Sequence, residues 1–220
     1  PVKQIWKDFS SGKGGNVVAF LMEHEQLSYP EAIKYLAKKY NIEIEETQLS
    51  EKQKEKINEK EKLFIITDLA KNFFKKQFKE SDFGNNIARS YLIERGFTDS
   101  IIDQFEIGCL TDSNNNLKNF LINKNYKIDD LISIGLVSSK TNNDIYKARI
   151  IFPIKTISGR TAGFGARTLK SNFKSAKYIN SPESIIYNKS KILYGLYISK
   201  SEIVKRDNCF VVEGYTDVIR

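Results

Sequence analysis

The chain has 220 residues and 40% hydrophobic residues, which is enough to form a core in one larger domain or two small ones. No apolar run reaches the roughly 20 residues that a membrane-spanning helix needs, so we expect a cytoplasmic globular protein that has no membrane partner. The formal net charge of +8 is concentrated in residues 140–207, which carry 14 Lys and Arg against 4 Asp and Glu. The first and last residues, Pro1 and Arg220, suggest an internal fragment of a longer protein. Two separated cysteines, Cys109 and Cys209, lie in apolar runs and are predicted to be reduced core residues.

The N-terminal segment is predicted to form a small hairpin followed by two helices. Apolar residues alternate over residues 1–9, and a glycine-rich turn follows that lacks the spacing of a phosphate-binding loop. Asn16 can cap a helix that runs to about Leu27, and a capping box that starts at Ser28 opens the next helix. The only histidine, His24, is interpreted as a partly exposed helix residue because no cysteine lies near it.

The middle of the chain changes from a charged segment to a helical, apolar one. Residues 43–62 are rich in Glu and Lys without an apolar face, and predict a solvated linker that can be helical. Residues 63–78 carry a helical apolar stripe that begins a second domain. Further helices are expected at residues 87–94, after the cap Thr98, at 117–123 and at 128–132, with a strand at 106–110.

After Asp144 the pattern becomes extended. Residues 145–154 predict a strand, Ser158 and Gly159 a hairpin turn, and residues 161–167 the returning strand. Two glycines in the returning strand, Gly163 and Gly165, leave its surface open to the close approach of backbone or of a ligand.

Cationic, aromatic and amide side chains then alternate between Arg167 and Asn180, with Lys174, Lys177 and Tyr178 between them. Such a mixture can hold phosphates while it stacks on bases or hydrogen-bonds to them, so an acidic polymer is one expected partner. The other interpretation is a lysine-rich solvated face above tyrosines that pack a core. Composition alone leaves both open.

The last segment is predicted to be a short buried strand, residues 209–212, that ends at the carboxylate of Glu213. Asp217 follows four residues later, so one helical turn would place both carboxylates on the same side. Acidic groups at the C-terminal edge of a parallel sheet are typical of metal and phosphate chemistry.

These runs together resemble the bacterial replicative DNA primases of the DnaG type. Residues 9–16 and 20–23 resemble the second half of the zinc-binding domain of that family, and the whole chain is covered by further similar runs. Those runs, which resemble the successive polymerase-domain motifs, are residues 91–97, 149–154, 163–167, 176–183, 193–196 and 212–218. The Tyr-Asn-Ser-Pro-Glu region and the closing Glu-Gly-Tyr run are the most specific of them.

The resemblance implies an α+β fold in four parts. Residues 1–45 would be the C-terminal half of a zinc-ribbon-like unit, and 46–62 a charged linker. Residues 63–206 would form the N-terminal subdomain of the RNA polymerase core, with a basic template-binding surface. Residues 207–220 would supply the first strand and turn of a toprim subdomain.

The implied activity is primer synthesis by metal-dependent nucleotidyl transfer on a single-stranded DNA template. Glu213 and Asp217 would hold Mg2+ or Mn2+, and Glu213 would be the catalytic carboxylate. The implied partners are the template, ribonucleoside triphosphates and the replicative helicase. The side chains implied to contact nucleic acid or nucleotide are Arg149, Arg167, Lys177, Tyr178, Asn180 and Lys189.

Two departures from the family pattern change these expectations. Asp8 and Ser11 stand where the family has two zinc-ligand cysteines, and neither is a thiolate, so zinc binding is doubtful and Trp6, Phe9 and helix packing are expected to replace the metal. The later family carboxylates are missing, so this chain alone is expected to be inactive. The alternatives are a non-catalytic single-stranded DNA-binding module and another toprim enzyme, either a nuclease or a topoisomerase.

Overall fold

The computed structural model describes residues 5–25, 27, 29–43, 50–113, 115–169 and 176–220. It divides into two compact units, Pro1–Glu51 and Lys52–Arg220, and its mixture of helices and small sheets confirms the α+β class. Two sequence predictions, the cap at Ser28 and the cation Lys174, lie outside the described residues. Within the described ranges, no helix combines the length and the apolar character needed to cross a membrane.

The first unit is a two-stranded hairpin with two helices. Strand β1 (Trp6–Lys7) pairs antiparallel with β2 (Gly14–Gly15), and α1 (Val17–His24) and α2 (Tyr29–Lys39) follow. The predicted cap is confirmed, because the Asn16 side chain accepts a hydrogen bond from the backbone N–H of Ala19. His24 is exposed, stacks on Phe20 at 5.2 Å and hydrogen-bonds to Glu25, as an ordinary helix residue would.

The second unit is built on one helix of 30 residues, α3 (Glu51–Glu80). Its first part is exposed, while its later apolar stripe is buried. The boundary predicted between residues 62 and 63 therefore falls inside a continuous helix, because charged residues with good helix propensity extend the helix beyond the part that packs. The helices and strands after it are a π-helical turn (Phe83–Ala88), α4 (Arg89–Glu94), α5 (Asp99–Gln104), β3 (Gly108–Leu110), α6 (Asn116–Ile122) and α7 (Ile128–Ser133).

A four-stranded antiparallel sheet packs against α3. Its strands are β3, β4 (Arg149–Lys155), β5 (Thr161–Thr168) and β6 (Tyr178–Asn180), in that order. Strand β4 begins at Arg149 rather than at the predicted residue 145, because Ala148 adopts a left-handed φ of 51° and ends a turn there. The rings of Phe74 on α3 and Phe164 on β5 meet edge to face, with their centroids 5.2 Å apart, in the main core.

The end of the chain differs most from the sequence prediction. After a short 3-10 turn (Lys189–Lys191) and α8 (Leu196–Arg206), residues 208–212 form no strand, and a short helix, α9 (Tyr215–Ile219), closes the chain. The prediction of a buried strand is wrong for these residues: Phe210 is 94% exposed and Cys209 is exposed, whereas Cys109 is buried as expected. A strand needs a hydrogen-bonded neighbour, and both described sheets are antiparallel and made of other segments.

A half-buried ion-pair cluster joins α3 to the sheet. The carboxylate of Glu106, just before β3, lies 3.1 Å from Lys71 Nζ on α3 and also pairs with Lys155 on β4. Burial alone would raise the pKa of Glu106, but the hydrogen bonds from Lys155 and Lys71 outweigh it and hold that pKa at about 2.

We expect Glu106→Gln to lower the free energy of unfolding at pH 7 by on the order of 2 kcal/mol. The depressed pKa of Glu106 means that its stabilisation is fully present above its ordinary value of 4.5 and is lost as the pH falls through about 2. The difference between variant and wild type, measured by urea unfolding, should therefore shrink over that window. Asp103→Asn is the control, because Asp103 pairs with Lys79 at the surface and should cost under about 1 kcal/mol. An unfolding difference for Glu106→Gln that stays constant with pH would contradict the assignment.

Candidate nucleic-acid and metal-binding site

Arg167, on strand β5, is held between two tyrosine rings. Its guanidinium carbon lies 4.2 Å from the ring centroid of Tyr91 on α4 and 5.7 Å from that of Tyr178 on β6. The pairing of β5 with β6 places Arg167 directly opposite Tyr178. The side chain is only 8% exposed, and among the described residues its Nε and Nη1 have no hydrogen-bond partner. A cation with unused donors is thus fixed beside a surface aromatic residue, an arrangement suited to an anionic ligand.

Arg149 is placed differently from the sequence prediction. It is 2% exposed, and its guanidinium donates to the backbone carbonyls of Ala176, at 2.9 Å, and Lys177, at 3.2 Å. Burial lowers the pKa of Arg149. Because its donors bind backbone inside the fold, this arginine positions the segment that carries Lys177 rather than presenting its own charge to the solvent.

The remaining predicted contact residues lie at the surface. Lys177, Tyr178, Asn180 and Lys189 are all exposed, and the first three occupy strand β6 and the residue before it. Lys189 begins the 3-10 turn, where its backbone N–H donates to the Glu183 carboxylate at 3.0 Å. The aromatic and cationic side chains at residues 177 and 178 therefore face solvent, and the surface-binding interpretation of the sequence keeps its physical basis.

Tyr215 joins this surface to the acidic end of the chain. Its hydroxyl donates to Asn180 Oδ1 at 2.7 Å. Its ring stacks on Phe152, with centroids 5.4 Å apart and planes 7° apart, and meets Tyr194 edge to face. Burial raises the pKa of the Tyr215 phenol, so it keeps the proton that it donates. The space for the ring comes from Gly165, where a Cβ atom would lie 2.4 Å from Tyr215 Cζ.

The two glycines predicted to admit a close neighbour therefore do so. At Gly165 the neighbour is Tyr215, and at Gly163 it is Ser181, whose Cβ would lie 3.0 Å from an added Cβ. Ser181 is buried and its hydroxyl accepts from the backbone N–H of Phe164. Both neighbours are parts of the fold: Ser181 follows β6 and bonds to β5, and Tyr215 packs α9 on the sheet.

Glu213 and Asp217 lie on either side of Tyr215, each two residues from it in the chain. Both carboxylates are exposed, and the Asp217 carboxylate lies over Gly214, where an added Cβ would be 2.6 Å from Asp217 Oδ2. Carboxylate oxygens are suitable ligands for Mg2+ or Mn2+. Within the described ranges no three His, Cys, Asp or Glu side chains gather as a metal set.

The residues of the N-terminal hairpin do not fit zinc. Asp8 accepts hydrogen bonds from the backbone N–H of Ser10, at 2.9 Å, and from the hydroxyls of Ser10 and Ser11, and no cysteine occurs before Cys109. A serine hydroxyl is a very poor ligand, and a lone carboxylate does not replace a thiolate pair. Phe9, which was expected to pack in place of the metal, is 90% exposed, whereas Trp6 meets Phe20 edge to face, with their centroids 5.4 Å apart.

Sequence reasoning missed Tyr91 and Tyr215 as parts of this site. Tyr91 lies 76 residues before Arg167, and nothing local in the sequence shows that α4 packs beside β5. For Tyr215 a signal existed, since it stands between the two candidate acids and β5 carries a glycine able to receive a ring.

Comparisons with known proteins show which family this chain is similar to. Residues 73–200 match the family described as "DNA primase catalytic core, N-terminal domain", and residues 1–52 match the "CHC2 zinc finger". A DNA primase of Staphylococcus epidermidis is 36% identical over 99% of this chain, which spans only 37% of that relative. The chain thus covers little more than a third of the curated relatives it matches.

Two solved structures extend the comparison. The zinc-binding and RNA polymerase domains of the Aquifex aeolicus primase align with 100% of this chain and 52% of that one, with a TM-score of 0.65 and 31% identity. A DnaG primase catalytic domain bound to single-stranded DNA aligns with 74% of this chain and 52% of that one, with a TM-score of 0.65 and 32% identity. The chain belongs to the family of DnaG-type bacterial DNA primases.

Proposed function

We propose that the protein containing this chain synthesises short RNA primers on single-stranded DNA during replication. The observation that carries the proposal is the Tyr215–Asn180 hydrogen bond, which holds the acid-bearing helix α9 against the strand that presents Lys177 and Tyr178. Relatives named DNA primase, and a related catalytic domain solved with single-stranded DNA, support it. A non-catalytic binding module and another toprim enzyme are not favoured by these comparisons.

In the proposed reaction a ribonucleotide 3′-hydroxyl attacks the α-phosphate of an incoming triphosphate, and pyrophosphate leaves. A divalent cation, Mg2+ or Mn2+, would lower the pKa of the attacking hydroxyl and neutralise the charge of the leaving group. Glu213 and Asp217 would supply carboxylate ligands, with Glu213 as the catalytic carboxylate. Arg167, Lys177 and Lys189 would hold template or triphosphate phosphates, since guanidinium and ammonium groups bind phosphate oxygens strongly.

The division of the chain follows from the same proposal. Residues 1–45 would be a zinc-ribbon-type half, 46–62 a charged connection that continues as helix α3, 63–206 the N-terminal part of the polymerase core, and 207–220 the start of a toprim subdomain. Further partners would be ribonucleoside triphosphates and a replicative helicase in the cytoplasm. Glu213 and Asp217 would be only part of the family's carboxylate set, so we expect these 220 residues alone to make no primers.

Single-stranded DNA binding tests the surface directly. We expect Lys177→Ala and Lys189→Ala in the full-length protein each to weaken binding roughly 3- to 10-fold, equally for different template sequences, and to reduce the salt slope of log Kd by about 1, because each removes one phosphate contact. Primer synthesis at low template concentration should fall in parallel.

Lys56→Ala is the matched control, because Lys56 is an exposed lysine on α3 outside the candidate surface. Equal effects of all three substitutions would show a nonspecific charge contribution and contradict the surface. Full-length protein that binds template but joins no ribonucleotides would instead contradict the proposed reaction.

A further inference from the structure

The hairpin at residues 6–15 is closed by its own hydrogen bonds. Trp6 pairs with Gly15 and Lys7 with Gly14, and the backbone N–H of Asp8 donates to the Lys13 carbonyl at 2.7 Å. The ammonium group of Lys7 also reaches the Gly12 carbonyl at 2.8 Å. The turn is therefore fixed from both sides of its base, and the two positions that the family pattern gives to cysteine, Asp8 and Ser11, lie within it.

The Asp8 carboxylate organises the tip of this turn. Its Oδ1 accepts from the backbone N–H of Ser10 at 2.9 Å and from the Ser10 hydroxyl at 2.7 Å, while its Oδ2 accepts from the Ser11 hydroxyl. The Ser11 oxygen in turn accepts from the backbone N–H of Lys13 at 3.4 Å. One carboxylate thus ties together the residues that paired thiolates would otherwise hold through a metal ion. Hydrogen bonds from Ser11 and Ser10 hold the pKa of Asp8 at about 2, so the acceptor is ionised at neutral pH.

The donor set excludes the alternative of a zinc-closed turn on chemical grounds. Zinc in structural sites takes four soft or borderline ligands, mostly thiolates and imidazoles. Residues 1–52 match a zinc-finger family but contain no cysteine, and their single histidine, His24, is stacked on Phe20 and hydrogen-bonded to Glu25. Both Asp8 oxygens already accept hydrogen bonds from the serines.

We propose that the hydrogen-bonded Asp8–Ser10–Ser11 cluster replaces the metal in the hairpin at residues 6–15, so that this hairpin folds without zinc. Hydrogen bonds to the ionised Asp8 carboxylate would then stabilise the turn in place of a zinc ion bound by two cysteines. The stability of the hairpin should depend on the Asp8 carboxylate and should not depend on chelators.

Metal analysis of the full-length protein, purified without a metal-affinity step, tests whether the hairpin folds without zinc. We expect substoichiometric zinc, and we expect the same melting temperature before and after treatment with a zinc chelator. One zinc per chain, or a melting temperature that falls on chelation, would overturn the proposal. These readouts do not depend on primer synthesis, so the proposal can fail while the proposed function stands.

Substitution of Asp8 tests whether its carboxylate stabilises the hairpin in place of the metal. Asp8→Ala should speed amide hydrogen exchange in residues 6–15, and Asp8→Asn, which keeps one acceptor oxygen, should do so less. Glu43→Ala is the matched control, since Glu43 is an exposed carboxylate of the same unit. A zinc-free protein whose exchange rates are unchanged by Asp8→Ala would show that Asp8 does not replace the metal.

Discussion

Gly165→Ala is expected to reduce primer synthesis by the full-length protein on the order of 10²-fold. The added methyl group would lie 2.4 Å from Tyr215 Cζ, far inside van der Waals contact, so the ring has to move. It cannot slide along the sheet, because Phe152 stacks on one of its faces and Tyr194 packs against it at 4.6 Å. The displacement therefore passes to α9 and to the carboxylates of Glu213 and Asp217 that flank Tyr215.

The measurement is kcat on a fixed template together with the melting temperature, because overpacking also costs about 1–3 kcal/mol of stability. Tyr215→Phe is the milder variant, because it keeps the ring in place and removes only the hydrogen bond to Asn180. We expect it to lower kcat roughly 5- to 10-fold. Wild-type kcat in folded Gly165→Ala would show that the position of Tyr215 does not control the acids.

The sequence predicted well what depends on local pattern. Asn16 and Thr98 cap helices as expected, each accepting from a backbone N–H three residues later, because capping needs only neighbours in the chain. The paired strands β4 and β5 were also predicted, since alternation and a glycine turn specify a hairpin. The buried strand at residues 209–212 was not found, because apolar residues predict burial only where a neighbouring strand is present to pair with them.

The candidate site shows the same limit. The residue types Arg167, Lys177, Tyr178 and Asn180 could be recognised from their alternation and their resemblance to primases. The sequence does not show whether a given cation faces solvent. Arg149, for example, is buried and donates its hydrogen bonds to backbone carbonyls. The contacts of Tyr91 with Arg167 and of Tyr215 with Asn180 join segments 76 and 35 residues apart, and such pairings depend on how the helices pack on the sheet.

Arg167→Ala should weaken single-stranded DNA binding by the full-length protein roughly 5- to 100-fold, since a stacked, charge-bearing contact is worth about 1–3 kcal/mol. The guanidinium lies between Tyr91 and Tyr178 with Nε and Nη1 unpaired in the described residues. Arg167→Lys keeps the charge but loses the planar stacking and the fork of donors, so it should fall between alanine and wild type in affinity while keeping the salt slope of log Kd.

A purely structural role for Arg167 predicts a different result from phosphate binding. A second arginine, Arg160, serves as the control that distinguishes these two roles. Arg160 also stacks on a ring, that of Phe64 at 4.0 Å, and pairs with Glu61, but it lies on no part of the candidate surface. If stacking serves only the fold, Arg160→Ala and Arg167→Ala should lower the melting temperature alike and leave DNA affinity unchanged. If Arg167 instead holds a phosphate, its affinity loss should persist in protein that remains folded, and the salt slope should fall by about 1 for alanine alone. Nε and Nη1 of Arg167 have no hydrogen-bond partner among the described residues, and a phosphate oxygen would supply one, which is why we expect the second outcome.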